Sequence, residues 1–377
     1  MRWRLLTGGA LGGAALAAAL AMVRARRRGG TLVYVGTQAT GPGEGVFAAW
    51  LDEKTGALEA IGWVGEVERP TWLHADRARN RLFAVSEVGN DGSRAGAVLS
   101  FQYEPDTGAL MSVMRTASGG GGATHLDLDP TGRILFVANF GGGNVGAIPV
   151  AADGSLGSVR SLQAQEGSGP HRRQPGPRPH GVTLDPSGRY LLAPDMGADR
   201  LYVYRFDADA VSLSPADPPF ASLPAGSGPR LILFGRDGRF AYMLSELSAE
   251  LYVFRWDDGA LTQVQQLALG DPGAETHSAA ALTLSADGRF LYASNRVADT
   301  IQVYAIDRRS GLLSEVQRVP AGGSKPWGSD LSPSGKWLLV ANQASDNITA
   351  FRVDRGTGKL VGEGALAVPS ATGIAFG

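Results

Sequence analysis

The chain contains no cysteine, and only five of its 377 residues are histidine. Lacking a thiol, it has no disulfide framework, no thiolate nucleophile and no Cys-ligated zinc or iron centre. Formal net charge is -1, so no global field recruits nucleic acid or a membrane surface, and any cationic site must be local. The histidines have no metal-ligand spacing and no acidic calcium loop is present, so nothing points to a metal or another cofactor. Carboxylates, hydroxyls, imidazoles, lysines and arginines are what remains for chemistry. Long apolar runs are also missing, with one exception at the start.

That exception is Leu5 to Val23, rich in Ala, Gly and Leu, between Met1-Arg2-Trp3-Arg4 and Arg24-Ala25-Arg26-Arg27-Arg28. The pattern is that of an export signal or an N-terminal membrane anchor, near the lower limit of roughly 17–25 residues for a spanning helix. Ala19-Leu20-Ala21 offers a cleavage site, while the arginines behind it suit a cytoplasmic stop equally well. Residues 1–29 are therefore expected to make the protein exported or membrane-anchored, with residues 5–23 as the tether. If the segment does not function, the protein is cytoplasmic. Residues 30–377 form the folded part.

What the chain has in quantity is glycine, 53 residues of it, set at regular intervals among short apolar runs. Two turn markers recur. The first precedes an apolar run: Asp129-Pro130-Thr131-Gly132-Arg133, Asp185-Pro186-Ser187-Gly188-Arg189, Arg236-Asp237-Gly238-Arg239, Ala286-Asp287-Gly288-Arg289 and Pro333-Ser334-Gly335-Lys336, with Arg79-Asn80-Arg81 in the same place earlier. The second is Thr/Asp-Gly-x-Leu, ending at Leu58, Leu110, Leu156, Leu261, Leu313 and Leu360, with a degraded copy at Asp209 to Leu213. Seven copies imply seven modules. Runs such as Ile134-Leu135-Phe136-Val137-Ala138 are strands in length and residue type. Four short strands in a period of about 50 residues belong to a radial repeat that hides its sheet edges by closing a ring. The expected fold is all-β: a seven-bladed propeller of four-stranded antiparallel blades. The orphan strand Ala371 to Phe376 would complete the first blade at the ring closure. An open solenoid would need shorter modules and terminal caps.

Hairpin geometry then locates a site. In Pro179-His180-Gly181-Val182, turn, Ala193-Pro194-Asp195, the start of one strand lies beside the end of the next, so His180 and Asp195 share the blade end away from Gly188. The same fold-back puts Arg230 beside Glu246, and Arg296 near His277 and Ser278. If the first strand of each hairpin is innermost, His180, Arg230, Glu246 and Arg296 ring one mouth of the channel. The loop Gln165 to Pro179, carrying His171, Arg172, Arg173 and Arg178, should hang over it. Two arginines make a fork for a carboxylate or phosphate, and a histidine with a carboxylate can divide base and acid roles. Each residue alone is also an ordinary rim ion pair or sheet-satisfying histidine, as His74 and His125 are expected to be. Their convergence is what points to a site.

The set Pro179-His180-Gly181, Asp195-Met196-Gly197-Ala198-Asp199-Arg200, Gly228-Pro229-Arg230, Tyr242 to Leu247, Gly288 to Arg296 and Ala341 to Asn347 resembles the seven-bladed lactonase family. That family includes propeller-type 6-phosphogluconolactonases and fungal carboxymuconate cycloisomerases. The resemblance spans about Gly30 to Gly377. It implies a lactone hydrolase, a carboxylic ester hydrolase acting on a sugar-derived or anionic small-molecule lactone, with no cofactor. A histidine, two arginines and a glutamate are implicated in the cycloisomerase branch, and His180, Arg230, Arg296 and Glu246 match them. Arg230 and Arg296 would polarise the lactone carbonyl. His180 would activate water and Glu246 would orient a partner or help move a proton. His171, Arg172, Arg173, Asp195, His277 and Lys325 are the expected substrate contacts. Two departures stand out: Leu231 occupies a place that is usually histidine, and Lys325-Pro326-Trp327 replaces a usual Pro-Arg. Ring closure by a cycloisomerase and a non-catalytic binding propeller are the alternative functions.

Overall fold

The computed structural model describes residues 30–270 and 276–377. The expected leader, residues 1–29, lies outside them. Among the described residues no helix is long and apolar enough to cross a membrane.

Seven four-stranded antiparallel sheets follow one another along the chain. Blade 1 joins Gly30–Thr37, Gly45–Asp52 and Leu58–Glu66 to the C-terminal strand Ala371–Phe376, pairing Val33 with Phe376 and Val35 with Ile374. The orphan strand thus closes the ring as expected. In blades 2 to 7 the inner strands are Leu73–Asp76, Ala123–Leu128, Thr183–Leu184, Pro229–Phe234, Ala279–Leu284 and Pro326–Leu331. With Ala371–Phe376 they line the channel.

Burial follows distance from the axis. The second strands Ile134–Asn139, Phe240–Ser245, Phe290–Asn295 and Trp337–Asn342 are buried throughout, whereas outer strands such as Leu110–Ala117 are largely exposed. The apolar core is accordingly divided into seven layers, one between each pair of neighbouring blades, the last joining blades 7 and 1. Each large side chain buried there contributes about 1.5–3 kcal/mol of transfer free energy.

Both sequence markers have a physical cause. In the first, Asp185 Oδ1 accepts the Arg189 and Tyr190 N–H groups at 2.9 and 2.8 Å, while Gly188 turns the chain at φ 71°. Ser285 replaces the carboxylate in blade 6, its Oγ accepting the same two N–H groups at 3.0 and 2.9 Å. In the second marker Gly56, Gly259, Gly311 and Gly358 each face an aromatic ring of the preceding blade, whereas Gly108 faces Leu32 and Ile61 and Gly154 faces Arg81. A Cβ at Gly311 or Gly358 would lie 2.3 Å from Phe240 or Phe290. Tyr242 and Tyr292 then donate their hydroxyls to those glycine carbonyls at 3.2 Å. The marker is a blade-to-blade clasp.

One strand is shorter than expected. The pattern predicts pairing from Pro179 to Asp185, but the ladder covers Thr183–Leu184, with an isolated bridge between Pro179 and Asp195. Between them the Val182 N–H leaves the blade and donates to His125 Nδ1 of blade 3 at 3.3 Å.

Candidate active site

One backbone hydrogen bond recurs at the channel end away from the first marker. The residue after each second strand donates its N–H to the entry loop of the inner strand: Glu87 to Arg69, Met196 to Arg178, Glu246 to Gly228, Arg296 to Ser278 and Gln343 to Lys325, at 2.7–3.1 Å. Gln38 and Phe140 do the same with Ser370 and Gly122. The donors form one ring of equivalent positions: Gln38, Glu87, Phe140, Met196, Glu246, Arg296 and Gln343. Two residues beyond each acceptor lies a second ring: Thr372, Thr71, Thr124, His180, Arg230, Ala280 and Trp327. The ladder register shifts at Arg230 and at Trp327, and such bulges re-aim a side chain.

The chemistry of these rings converges on blades 4 to 6. Glu246 Oε1 accepts from Arg296 Nη2 at 2.7 Å and from Arg173 Nη1 at 2.6 Å, and Oε2 accepts from Arg230 Nη1. Arg230 Nη1 also meets His180 Nε2, which lies 3.7 Å from Glu246 Oε2. A guanidinium only donates, so Nε2 is the unprotonated nitrogen. The proton then sits on Nδ1, which is buried and has no hydrogen-bond partner among the described residues. Arg230 Nε reaches the Ala280 carbonyl at 3.0 Å, and Arg296 holds Ser278 Oγ through Nε and Nη2 at 3.1 and 2.7 Å. The Trp327 ring covers both guanidiniums, its centroid 4.6 Å from Arg296 Cζ and 5.6 Å from Arg230 Cζ.

Burial works against every charge here. It would raise the Glu246 carboxyl, but Arg296, Arg230 and Arg173 outweigh it and hold the group well below the usual carboxylate range. Burial and then Arg230 keep His180 well below the ordinary imidazole value, hence neutral. Burial lowers Arg230 to about 10, still protonated at neutral pH. The resting site is a neutral imidazole and one carboxylate locked among three guanidiniums. Such a cluster binds and polarises an oxygen that carries or gains negative charge.

A family model described as "Lactonase, 7-bladed beta-propeller" matches residues 32–376. The chain belongs to the seven-bladed β-propeller lactonase family. Among solved structures, the periplasmic gluconolactonase of Pseudomonas aeruginosa superposes with a TM-score of 0.87 at 35% identity, over 92% of this chain and 99% of that one. The 6-phosphogluconolactonase of Bacillus subtilis (strain 168) is 31% identical over 296 residues, 78% of this chain and 82% of its own length. That of Formosa agariphila is 28% identical over 291 residues, covering 76% and 81%.

In this lactonase-family chain the four residues expected at the mouth do meet, and of the loop residues Arg173 joins them. Its loop is fixed by Gln174, whose Nε2 donates to the Met196 carbonyl at 2.8 Å and to Asp199 Oδ1 at 2.7 Å. His171 and Arg172 are exposed, and His171 Nδ1 accepts the Arg173 N–H at 3.2 Å, shaping the loop. Three expected substrate contacts stand apart from the cluster. Asp195 is fully buried, and its Oδ1 accepts the Arg178, Gly197 and Ala198 N–H groups at 2.7, 2.8 and 2.9 Å. Sharing a blade end did not decide which way its side chain points. His277 stands beside Gly270, with no hydrogen bond or ion pair to the cluster among the described residues. Lys325 is exposed on the rim, its N–H bound to Asp299 Oδ1 at 2.7 Å. His125 is structural as expected: it accepts from Val182 and lies 4.1 Å from the Trp72 ring, and burial drives it down to about 3.

Glu87 escaped the sequence reading. It occupies the Glu246 position in blade 2, and Ser86-Glu87-Val88 repeats Ser245-Glu246-Leu247. Blade 2 turns at Arg79-Asn80-Arg81 without the glycine of the later turns, and aligning Arg81 with Arg239 leaves Glu87 one residue short of the Glu246 place.

The opposite mouth is different. Two residues before each turn lie His74, Asp127, Thr183, Leu233, Thr283, Asp330 and Ala375. Asp127 accepts from Leu128 and, in the next blade, Leu184, at 3.0 and 2.8 Å. Asp330 is its counterpart in blade 7. It accepts from its neighbour Leu331 at 2.8 Å and opens onto a cavity of about 430 Å³ also lined by Arg77, Ser329 and Ala375. Burial pushes Asp330 up to about 7.

Proposed function

We propose that the chain hydrolyses a sugar lactone at the arginine-lined mouth of its channel. The observation that carries this reading is the set of three guanidiniums already aligned on Glu246 beside a neutral His180. When water adds to a lactone carbonyl, the oxygen becomes an oxyanion. Fixed N–H donors at that point lower the barrier because they need no reorganisation. Arg230 and Arg296 are held by Ala280, Ser278 and Trp327 as well as by Glu246, so their remaining N–H edges are preset. Arg173, whose side chain is 41% exposed, is free to turn from Glu246 toward a bound substrate. His171, Arg172 and Lys325 stand farther out and meet only a substrate that projects from the mouth. The names of the relatives, gluconolactonase and 6-phosphogluconolactonase, support a sugar lactone.

Residues 1–29 are proposed to export or anchor the protein. The apolar run between basic ends supports this, as does the word periplasmic in the name of the Pseudomonas relative. An exported enzyme would meet unphosphorylated sugar lactones.

The test is hydrolysis of gluconolactone and 6-phosphogluconolactone after subtraction of spontaneous opening, with Arg296→Ala and His180→Ala in parallel. Turnover that both substitutions abolish supports the site. A folded protein without turnover on either lactone overturns the reading, and muconate-derived substrates would then test for ring closure.

A further inference from the structure

We propose that Glu87 of blade 2 is the proton acceptor that activates the attacking water. This rests on the lactone-hydrolysis reading above.

Hydrolysis needs a base at the mouth, and the expected ones are occupied. Glu246 is bound by three guanidiniums, and His180 Nε2 accepts from Arg230. A carboxylate stabilised in this way takes up a proton reluctantly, and so does a buried imidazole beside a cation. Glu87 differs. Its Oε1 accepts from Asn90 Nδ2 at 2.8 Å and its Oε2 from Thr71 Oγ1, both neutral donors. Thr71 holds in blade 2 the place that Arg230 holds in blade 5. The pair Arg230–Glu246 is thus repeated as Thr71–Glu87, with the cation replaced by a hydroxyl. Glu87 is 8% exposed, as is His180, against 1% for Glu246, so it is the less enclosed of the two glutamates. It also stands across the channel within electrostatic reach of Arg230. The other charged groups around it are Arg69, whose Nε donates to the Glu87 carbonyl at 3.1 Å, and Arg178, bound to the Asn90 carbonyl at 3.0 Å. Beyond them lies the exposed Arg94–Glu68 pair.

The step balances without a further reactant. A water between Glu87 and the lactone gives one proton to the carboxylate as its oxygen bonds to the carbonyl carbon. The carbonyl electron pair moves to oxygen, where Arg230 and Arg296 hold it. The C=O then re-forms, the ring C–O bond breaks, and the departing ring oxygen takes the proton back from Glu87. The product is the open hydroxy acid.

The test compares the full chain with Glu87→Gln and Glu87→Asp on the lactone that turns over best, following kcat, KM and the pH profile. Glu87→Gln keeps the shape of the side chain and can still pair with Thr71 and Asn90, and an unchanged Tm shows that it folds. The expected result is a fall in kcat of about 10²–10⁴-fold, with KM within about threefold. The acid limb of kcat in the wild type should vanish in Glu87→Gln, and Glu87→Asp should recover part of the rate. A purely structural role would leave that limb in place. Should Glu87→Gln fail to fold, the pH profile and rate of Glu87→Asp decide. Either variant retaining both kcat and the wild-type acid limb overturns the assignment while lactone hydrolysis stands. A wild-type chain that turns over no lactone overturns both.

Discussion

The two mouths of one channel treat buried charge in opposite ways. At the blade 4–6 mouth three guanidiniums, Arg173, Arg230 and Arg296, surround the single carboxylate of Glu246, and the carboxyl is driven down. At the other mouth burial outweighs the Leu331 N–H and Arg77, and the Asp330 carboxyl is driven up. Both carboxyls are set by the same backbone repeat. The difference lies in which side chain the neighbouring blade contributes: Arg296 next to Glu246, but Ala375 next to Asp330. A repeat architecture supplies equivalent positions, and one substitution in an adjacent module makes such a position a receptor or a liability.

The largest effect that would sharpen this contrast is at Arg230. Arg230→Ala should lower kcat/KM by at least about 10³-fold through loss of a preset donor. It should also cost about 3–5 kcal/mol of stability, because Glu246 stays buried with less compensation. Chemical denaturation and lactonase kinetics on one preparation would check both. Arg296→Ala should match it in activity.

Acid stability comes next. Glu246 has a lowered carboxyl, so its contribution is complete above the unfolded carboxylate range near 4.3 and is lost as pH falls through its folded value. His180 and His125 are held neutral, so the unfolded chain takes up their protons first, and stability begins to fall below about pH 6.5. Denaturation midpoints should decline first below about pH 6.5, through the histidines, and again below about pH 4.3, through Glu246. In Glu246→Gln the later, carboxylate part of the decline should shrink. A midpoint flat down to pH 4 would break the contrast.

At the rim, Arg173→Met should raise KM about tenfold with kcat within about threefold, since one exposed charge-assisted contact is removed and the buried pair remains. At the opposite mouth the sign reverses. Asp330 stays protonated in the fold up to about 7, so its contribution is full below about pH 4 and fades as pH rises through 7. Asp330→Asn should therefore be more stable than the wild type at pH 8, equal to it at pH 4, and unchanged in turnover. The smallest expected effect is none: a chelator should leave turnover intact, and a loss would point to a metal.

The blades were legible because each marker is itself an interaction. The Asp-Pro-Ser-Gly turn is a carboxylate holding its own hairpin, and the Gly-x-Leu turn is the space left for a side chain of the neighbouring blade, most often a ring. His180, Arg230, Glu246 and Arg296 were legible because antiparallel pairing fixes which residues share a strand end. Side-chain direction was not legible, and Asp195 turned back onto its own loop backbone. Contacts between distant modules were equally hidden: Trp327 covering two guanidiniums depends on how blade 7 meets blades 5 and 6. Glu87 lay within reach of a stricter alignment of Ser-Glu dipeptides.

The pairing of Val33 with Phe376 sets a schedule for synthesis. As the chain leaves the ribosome at roughly 5–20 residues per second, blades 2 to 7 can assemble in order, each on the one before. Blade 1 cannot, because its innermost place belongs to the propeller's latest strand, Ala371–Phe376. Until that segment arrives, the strand Gly30–Thr37 presents an unpaired apolar edge, and the nascent protein passes through an open arc with adhesive ends. The interval between the first blade and the final strand is when this protein is most exposed to aggregation, and when a chaperone has most to do.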